Sequence, residues 1–445
     1  MRVLSLVLCA GMAVAAAPAK NSAKKRTPAR ASAARVSPQQ RAEAAEAVQA
    51  RVSEAMEIGI LNAGSLVPFF ERLYREKAGG EPVHVLHFGD SHSASDDFPS
   101  AIRTVLQQKF GNGGPGYTHA GRPFPGCRRY DSKSTTTKGW KTHGLLSREG
   151  DGIYGMSGAA IETSRAGETV TLEAEGGIVE VLYWRQPGGG TFRLTVNGAE
   201  LSRISTDAES GPGSARFKLD SAGPHELAIT TDTDAPVRLF GWVVENPGGV
   251  TWETLGINGA QADVQLNWNE AIFAAQVRRR DPALIVLAYG TNEARWPEWN
   301  GESYREAFRQ VIARLRAAAP AASILVLGPP DQAARVSRGG PWRPYAGVDM
   351  ILAAQREVAL STGCAFWNWR SAMGGKGSIS QWVRAGLAAP DYVHFSSAGY
   401  RLLGQSLGEL MLSQFDIFAT VRRQVIGERT SEPTSESNGP SAKNH

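Results

Sequence analysis

The chain has 445 residues, of which 42% are hydrophobic and 20% are charged. This composition is typical of a soluble globular protein, and the length favours two domains with a sizeable core. The formal net charge of +5 is modest, and much of it lies between Lys20 and Arg35, interleaved with alanine, serine and proline. Such an arm is typical of a solvated linker, so no nucleic-acid partner is expected.

The first 19 residues have the three parts of a secretory signal peptide. Arg2 supplies a positive start, residues 4–14 are apolar, and residues 15–19 offer the small side chains of a cleavage site. The apolar run is too short to cross a bilayer, and no later segment has about eighteen consecutive apolar residues. We therefore expect an exported protein, periplasmic or secreted, without stable membrane insertion once the signal is cleaved.

After the linker, the sequence predicts helices that alternate with strands. Ser37 and Pro38 form a favourable helix start, because serine caps the first turn and proline fits its first position. Periodicity and apolar runs predict helix 37–56, strand 83–88, helix 98–110, strand 284–289, helix 303–319, strand 323–327, helix 348–361, strand 365–368 and helix 397–412. This alternation predicts an α/β protein, a three-layer sandwich with a parallel sheet between two layers of helices.

Residues from about 159 to 246 have a period of two instead. Val170, Leu172 and Ala174 alternate with polar neighbours, and Asn197-Gly198 is a hairpin turn signal. The pattern predicts a small antiparallel β-sandwich inserted into a loop of the α/β domain. The expected organisation is a signal peptide (1–19), a linker with an N-terminal helix (20–60), the α/β domain (61–158 and 251–423), the inserted sandwich (159–250) and a disordered tail (424–445).

Three residues far apart in the sequence have the chemistry of an activated serine nucleophile. Ser91 follows an apolar strand, which places it at the carboxyl edge of the sheet, where open α/β sheets bind ligands. Asp391 and His394 are three residues apart, so that one turn can hold an orienting acid and a general base. The alternative for His394 is that it merely caps the helix beginning near Ser397.

Two further positions are candidate oxyanion donors. Asn292 follows the strand 284–289, and its side-chain amide could stabilise a developing negative charge. Gly259 could add a backbone N–H, since glycine permits a close approach, and the Ser91 N–H could be a third donor. Taken singly, Asn292 and Gly259 are ordinary turn residues, and only their order together with the serine and histidine favours a catalytic role.

Several other motifs do not indicate a site. The stretch 111–116 fits G-x-G-x-x-G, but it follows a helix and Pro115 lacks an N–H, which argues against dinucleotide binding. Residues 155–158 do not form a nucleophile elbow, because the final glycine of that motif would be Ala159. His84 and His87 are three apart on a strand and face opposite sides, so they cannot share a metal ion.

Tryptophans and cysteines each leave two interpretations open. Trp184, Trp242 and Trp252, in or near the predicted insert, could stack on sugar rings, although core packing is favoured. After signal cleavage only Cys127 and Cys364 remain, and in an exported protein they could form one disulfide or stay as buried thiols.

The blocks Gly89-Asp90-Ser91, Gly259, Gly290-Thr291-Asn292-Glu293 and Asp391-Tyr392-Val393-His394 together resemble the four ordered blocks of the SGNH (GDSL-type) hydrolases. The resemblance implies a flavodoxin-like sandwich and ester hydrolysis. It assigns Ser91 as the nucleophile, His394 as the base, Asp391 as the acid, and Gly259 and Asn292, with the Ser91 N–H, as the oxyanion hole. The chain departs from the family at His92, where leucine or isoleucine is more usual.

The predicted inserted sandwich indicates which group within this family the chain resembles. An all-β module between the serine and glycine blocks is similar to that of the bacterial peptidoglycan O-acetylesterases, in which it is carbohydrate-binding-module-like. This implies removal of an acetyl group from the C6 hydroxyl of N-acetylmuramic acid through an acetyl-serine intermediate. The implied partner is an acetylated cell-wall polysaccharide, without metal or organic cofactor.

Three alternatives use the same residues or the same architecture. The protein could be an esterase for another acylated polysaccharide or a lipid. It could be an SGNH-type acetyltransferase, in which a sugar hydroxyl instead of water reaches the acyl-enzyme. It could also be a non-catalytic protein that binds cell-wall glycan, although the complete set of candidate residues argues against this.

Overall fold

The structure, a computed structural model, describes residues 36–76 and 80–430. The predicted signal peptide, nearly all of the linker, and residues 431–445 of the predicted tail lie outside the described residues. No helix within the described ranges combines the length and apolarity needed to cross a membrane.

The described residues form ten α-helices and eighteen β-strands, which are numbered in chain order. The helices are α1 Pro38–Ile58, α2 Val67–Arg75, α3 Ser91–Ala94, α4 Asp97–Phe110, α5 Glu270–Arg280, α6 Gly301–Ala318, α7 Gly347–Ser361, α8 Trp369–Ala372, α9 Ile379–Ala385 and α10 Ser397–Thr430. The strands up to residue 205 are β1 Val83–Gly89, β2 Gly116–His119, β3 Ser132–Thr136, β4 Lys141–Gly144, β5 Ala159–Thr163, β6 Thr169–Glu175, β7 Ile178–Arg185, β8 Thr191–Val196 and β9 Ala199–Ser205. The later strands are β10 Gly211–Lys218, β11 Pro224–Thr231, β12 Val237–Glu245, β13 Val250–Gly256, β14 Leu284–Ala288, β15 Ser323–Gly328, β16 Ala333–Arg335, β17 Trp342–Pro344 and β18 Ala365–Asn368.

A five-stranded parallel sheet forms the centre of the α/β part, in the order β13-β1-β14-β15-β18. Taken in chain order, this is the 2-1-3-4-5 arrangement of flavodoxin-like folds. The predicted α/β class with a parallel sheet is therefore confirmed. Strand β13 was not predicted from the sequence. It lies directly after the region with a period of two, and all seven of its residues are buried, so its burial does not alternate.

Helices cover both faces of this sheet, as alternation along β1 illustrates. Val83 and Val85 point into a core shared with α1, α2, α4 and α8–α10. Leu86 and Phe88 point into the opposite core, which α5, α6 and α7 complete. Successive strand residues face opposite sides, and burying each such apolar side chain contributes roughly 1.5–3 kcal/mol. The three predicted layers are thus present.

Two antiparallel sheets lie between β1 and β13 in the sequence. Their strand orders are β10-β7-β12-β5-β4, with β2 paired to β12, and β3-β6-β11-β8-β9. Their facing side chains share one hydrophobic core, which includes Leu172, Val181 and Trp242. The antiparallel region begins at β2, earlier than the predicted residue 159. Strands β3 and β4 are short and polar and contain no buried residue, so they lack the apolar alternation on which the prediction rested.

The structure also decides several local alternatives. Helix α10 continues to Thr430, so residues 424–430 are helical and not part of a disordered tail. Trp242 and Trp252 are fully buried in the core, as packing residues. Cys127 and Cys364 are both buried and free, so they form no disulfide.

Candidate active site

Three adjacent strands bring the candidate residues to one edge of the parallel sheet. In the sheet register, Gly89 at the end of β1 lies beside Gly256 of β13 and Ala288 of β14. Ser91, Gly259 and Asn292 follow these three strand ends, and His394 reaches the same place from the loop before α10. All four line one cavity of about 730 Å³.

Ser91 is the first residue of the short helix α3, which is folded tightly onto the strand ends. A Cβ atom at Gly89 would lie 2.3 Å from Ser93 Oγ and 2.9 Å from the Ala288 carbonyl oxygen, so glycine permits the sharp turn. Asp90 caps the helix, its Oδ1 accepting a hydrogen bond of 2.9 Å from the His92 N–H. Burial raises the pKa of Asp90 to about 6, although that N–H partly offsets the effect.

Two buried histidines, His87 and His92, form hydrogen bonds that stabilise this turn. Trp252 Nε1 donates to His87 Nδ1 at 3.1 Å, which leaves the proton on Nε2 to donate to Ser93 Oγ at 2.9 Å. Burial lowers the pKa of His87 to about 3, so its ring stays neutral. His92, the position that departs from the family pattern, is also buried, and its Nδ1 lies 2.9 Å from the Tyr400 hydroxyl. The departure is therefore accommodated by packing.

A continuous chain of hydrogen bonds joins the three predicted catalytic side chains. Ser91 Oγ lies 2.9 Å from His394 Nε2, and His394 Nδ1 lies 2.8 Å from Asp391 Oδ2. Since an ionised carboxylate only accepts, Nδ1 carries the proton and donates it to Asp391, and Nε2 accepts from the serine hydroxyl. The imidazole thus makes these two bonds, and no helix-capping bond from its side chain is seen in the described part of the chain.

The Asp391 carboxylate is held in a fixed orientation by its own loop. Its Oδ1 accepts backbone hydrogen bonds of 2.9 Å from Val393 N–H and 3.0 Å from His394 N–H. Partial burial would raise the pKa of Asp391, but the His394 side-chain bond and these two N–H groups outweigh it and leave the pKa below its ordinary value. Asp391 is therefore ionised at neutral pH, which its predicted orienting role requires.

A small hairpin that the sequence did not predict supports this loop. Strands β16 and β17 pair with each other, and the Ala333 N–H donates to the Tyr392 carbonyl at 3.0 Å. The Trp342 ring stacks on Tyr392 with centroids 4.1 Å apart. Tyr392 has a left-handed φ of 58°, which costs energy for a bulky side chain, so these contacts fix a conformation that places Asp391 and His394.

Gly259 and Asn292 line the same cavity as the loop that carries His394. Gly259 has a φ of 79°, a conformation that favours glycine. Asn292 Nδ2 donates a hydrogen bond of 2.9 Å to the Ala260 carbonyl, which orients the amide and leaves its second N–H available. A direct hydrogen bond therefore joins Asn292 to the residue that follows Gly259, which connects the loops of the two predicted donors.

Glu293 joins the same two loops and was given no role by the sequence. Its Oε1 accepts from the Ala262 N–H and its Oε2 from the Gly290 N–H, each at 2.9 Å. Burial raises the pKa of Glu293 to about 8, and the nearby Asp90 and Asp263 add to this. Its position beside Asn292 was visible in the sequence, but the backbone groups that it binds depend on the packing of separate loops.

Replacing Asn292 by alanine is expected to lower kcat for ester hydrolysis by about 10²-fold, because the variant lacks one of the predicted oxyanion donors. Hydrolysis of 4-nitrophenyl acetate and thermal unfolding should be measured together, and the fold should be retained. Asn258→Ala is a matched control, since Asn258 lines the same cavity and also donates its amide to a carbonyl, that of Pro125. Equal losses in the two variants would contradict the assigned role.

The arrangement has the parts needed for acyl transfer through a covalent serine intermediate. A hydroxyl faces a base, the base is oriented by an ionised acid, and candidate donors line the same cavity. No group of three or more His, Cys, Asp or Glu in the described ranges is placed to hold a metal ion.

Comparison with known proteins gives two informative matches. Residues 223–402 match the sequence profile of the GDSL-like lipase/acylhydrolase family, a range that includes Gly259, Asn292, Asp391 and His394 but begins after Ser91. The solved structure of a peptidoglycan O-acetylesterase is similar with a TM-score of 0.67 and 28% sequence identity, covering 78% of this chain and 96% of that one. The resemblance recognised in the sequence is confirmed.

More distant structures include family two carbohydrate esterases. One from Cellvibrio japonicus covers 64% of this chain and 99% of that one, at 11% identity and a TM-score of 0.25. One from Clostridium thermocellum covers 61% and 97%, at 12% identity and a TM-score of 0.26. No curated protein sequence gives a significant match.

Proposed function

Since the chain carries a GDSL/SGNH-type acylhydrolase domain, we propose that it is a serine esterase that removes O-acetyl groups from peptidoglycan. The single observation that carries the proposal is the hydrogen-bond chain from Ser91 through His394 to Asp391. The implied substrate is N-acetylmuramic acid acetylated at its C6 hydroxyl. The similarity to a peptidoglycan O-acetylesterase structure supports this substrate over other acetyl esters.

In the first half of the reaction, Ser91 Oγ attacks the acetyl carbonyl carbon while His394 Nε2 takes the hydroxyl proton. The carbonyl oxygen becomes an oxyanion, which the Gly259 N–H, the Asn292 amide and the Ser91 N–H stabilise. The bond from the carbonyl carbon to the sugar oxygen then breaks. His394 returns its proton to that oxygen, so the free sugar hydroxyl leaves and an acetyl-serine remains.

The second half of the reaction repeats these steps with water. His394 Nε2 takes a proton from the water as its oxygen attacks the acetyl-serine carbonyl carbon. The bond to Ser91 Oγ breaks, and that oxygen takes the proton back from His394, which releases acetic acid. Asp391 keeps the imidazole in one orientation and stabilises the imidazolium that forms in each half.

The charge of the cavity favours an anionic polymer. Arg128 and Arg295 both line the cavity, but Arg128 is paired with Asp97. Arg295 makes no ion pair with any residue that the structure describes, and its contacts are the Tyr345 ring and the Ala333 carbonyl. Peptidoglycan carries carboxylates on its peptides, whereas acetylated mannans are neutral. An uncommitted guanidinium suits such a carboxylate.

The two antiparallel sheets and the predicted export complete the proposal. We assign the sheets the role of an inserted carbohydrate-binding-module-like unit, which shapes the cleft or holds the glycan chain. The predicted signal peptide and the proposed wall substrate both favour a location in the periplasm or outside the cell. Deleting the unit should reduce activity on polymer more than activity on a small ester.

A substrate panel tests the proposal against its alternatives. Acetate release from O-acetylated peptidoglycan and from acetylated xylan is measured beside hydrolysis of acetyl and octanoyl 4-nitrophenyl esters. The proposal expects peptidoglycan to be the better polymer and the acetyl ester to be the better small substrate. A strong preference for the octanoyl ester would indicate a lipase, and acetyl transfer to added glycan in place of acetate release would indicate a transferase.

Replacing Arg295 by alanine is expected to lower kcat/KM for O-acetylated peptidoglycan about fivefold. The variant lacks the proposed, partly exposed ion pair between the Arg295 guanidinium and a carboxylate of the substrate peptide. Hydrolysis of 4-nitrophenyl acetate should be unchanged, and added salt should narrow the difference on polymer. Arg384→Ala, at an exposed arginine of α9, is the control for a general loss of positive charge. A parallel loss on the neutral ester would show that Arg295 acts on the fold or on the chemistry.

A further inference from the structure

A second groove adjoins the catalytic cavity at Gly259. It has a volume of about 600 Å³, and Gly259 lines both spaces. Its walls include the side chains of Leu146, Trp296 and Trp299. Leu146 and Trp296 are both exposed, and an exposed apolar patch that borders a groove is typical of a binding surface.

Trp296 is the most exposed of these aromatic walls, with 51% of its surface accessible. It ends the 3-10 turn that begins after Asn292, and its N–H donates to the Glu293 carbonyl at 3.0 Å. Its indole Nε1 donates to Glu298 Oε2 at 3.0 Å. The ring is therefore held by the segment that carries a predicted oxyanion donor, although about half of the residue's surface stays accessible.

The rest of the groove has the polar groups that sugar hydroxyls need. Trp299 Nε1 donates to Gln261 Oε1 at 2.9 Å, which fixes the second indole against the loop of Gly259. Arg148 and Asp263 form an ion pair of 2.8 Å along the same wall. An aromatic face bordered by fixed hydrogen-bonding groups is the usual composition of a site that orients a small polar ring.

We propose that this groove, lined by Trp296, Trp299 and Leu146, is a glycan subsite that binds the sugar next to the acetylated residue. The proposal rests on the proposed function, since it concerns a polymer whose acetyl group lies at Ser91. A polymer chain that leaves the cavity past Gly259 enters the groove directly. Such a contact adds binding energy for a polymer that a small ester cannot receive.

The test compares polymer and small-ester kinetics of the full-length protein. Trp296→Ala is expected to raise KM for O-acetylated peptidoglycan about tenfold, as for truncation of an aromatic anchor. Its kcat/KM for 4-nitrophenyl acetate should stay within about twofold, because a small ester does not reach the groove. Trp296→Phe keeps an aromatic face and should retain most of the polymer activity.

Ile417→Ala on α10 is the control, since Ile417 is similarly exposed, at 56%, and lies outside both spaces. Unchanged kinetics of Trp296→Ala on peptidoglycan would overturn the subsite and leave the proposed function intact.

If the wild type releases acetate from acetylated xylan but not from peptidoglycan, the proposed substrate is wrong. The same KM comparison on xylan then decides the subsite, and an unchanged KM overturns it. Activity confined to small esters overturns both.

Discussion

Replacing Ser91 by alanine is expected to lower kcat/KM for acetyl-ester hydrolysis by about 10³-fold or more. The hydroxyl that bonds to His394 Nε2 at 2.9 Å is the only atom of this side chain that can form the acetyl intermediate. Without it, the predicted oxyanion donors remain, and we expect them to sustain a small residual rate. The rate is measured with 4-nitrophenyl acetate, and far-ultraviolet circular dichroism checks that the fold is kept.

Ser95→Ala is the matched control for this loss. Ser95 lines the same cavity one helical turn later, and its hydroxyl has no hydrogen-bond partner among the residues that the structure describes. This variant should stay within about threefold of the wild type, since it removes a hydroxyl that bonds to no catalytic group. A normal rate for Ser91→Ala, or an equal loss in both variants, would show that Ser91 is not the nucleophile.

Replacing His394 by alanine is expected to lower kcat by about 10³- to 10⁴-fold, because among the described residues only its imidazole forms a hydrogen bond with Ser91 Oγ. Groups that act as one unit are not additive, so Ser91→Ala combined with His394→Ala should be about as slow as either single variant. Both rates are measured with 4-nitrophenyl acetate under saturating conditions.

His143→Ala controls for the loss of an imidazole elsewhere, since His143 lies in β4 of the antiparallel region. It should keep the wild-type rate. If His394→Ala retains more than about a tenth of the activity, the serine must be activated in another way. If the double variant multiplies the two single losses, the two side chains act independently, which the hydrogen-bond chain argues against.

The parallel strands and the residues at their ends could be predicted from local sequence. Strands β1 and β14 are fully buried, and each is followed by a turn with polar side chains. This pattern is typical of a functional site at the edge of a parallel sheet. Because parallel strands end at the same edge, Ser91 and Asn292 had to meet. The spacing of Asp391 and His394 fits one turn, and this local geometry is what the structure has.

The supporting parts of the site could not be predicted, because they depend on contacts between distant segments. Strand β13 is apolar, but only its pairing with β1 shows that it belongs to the parallel sheet. Glu293 resembles an ordinary surface acid until its two N–H partners are known. The Trp342 ring in β17 stacks on Tyr392, which lies about fifty residues later in the chain. A contact of this kind produces no periodic pattern in the sequence.

Acetate release from O-acetylated peptidoglycan by the wild type and by Ser91→Ala tests the central claim most directly. The account predicts release by the wild type and at least a 10³-fold slower release by the variant. Equal release by both proteins would contradict the serine mechanism. No release by the wild type, with hydrolysis of 4-nitrophenyl acetate retained, would contradict peptidoglycan as the substrate.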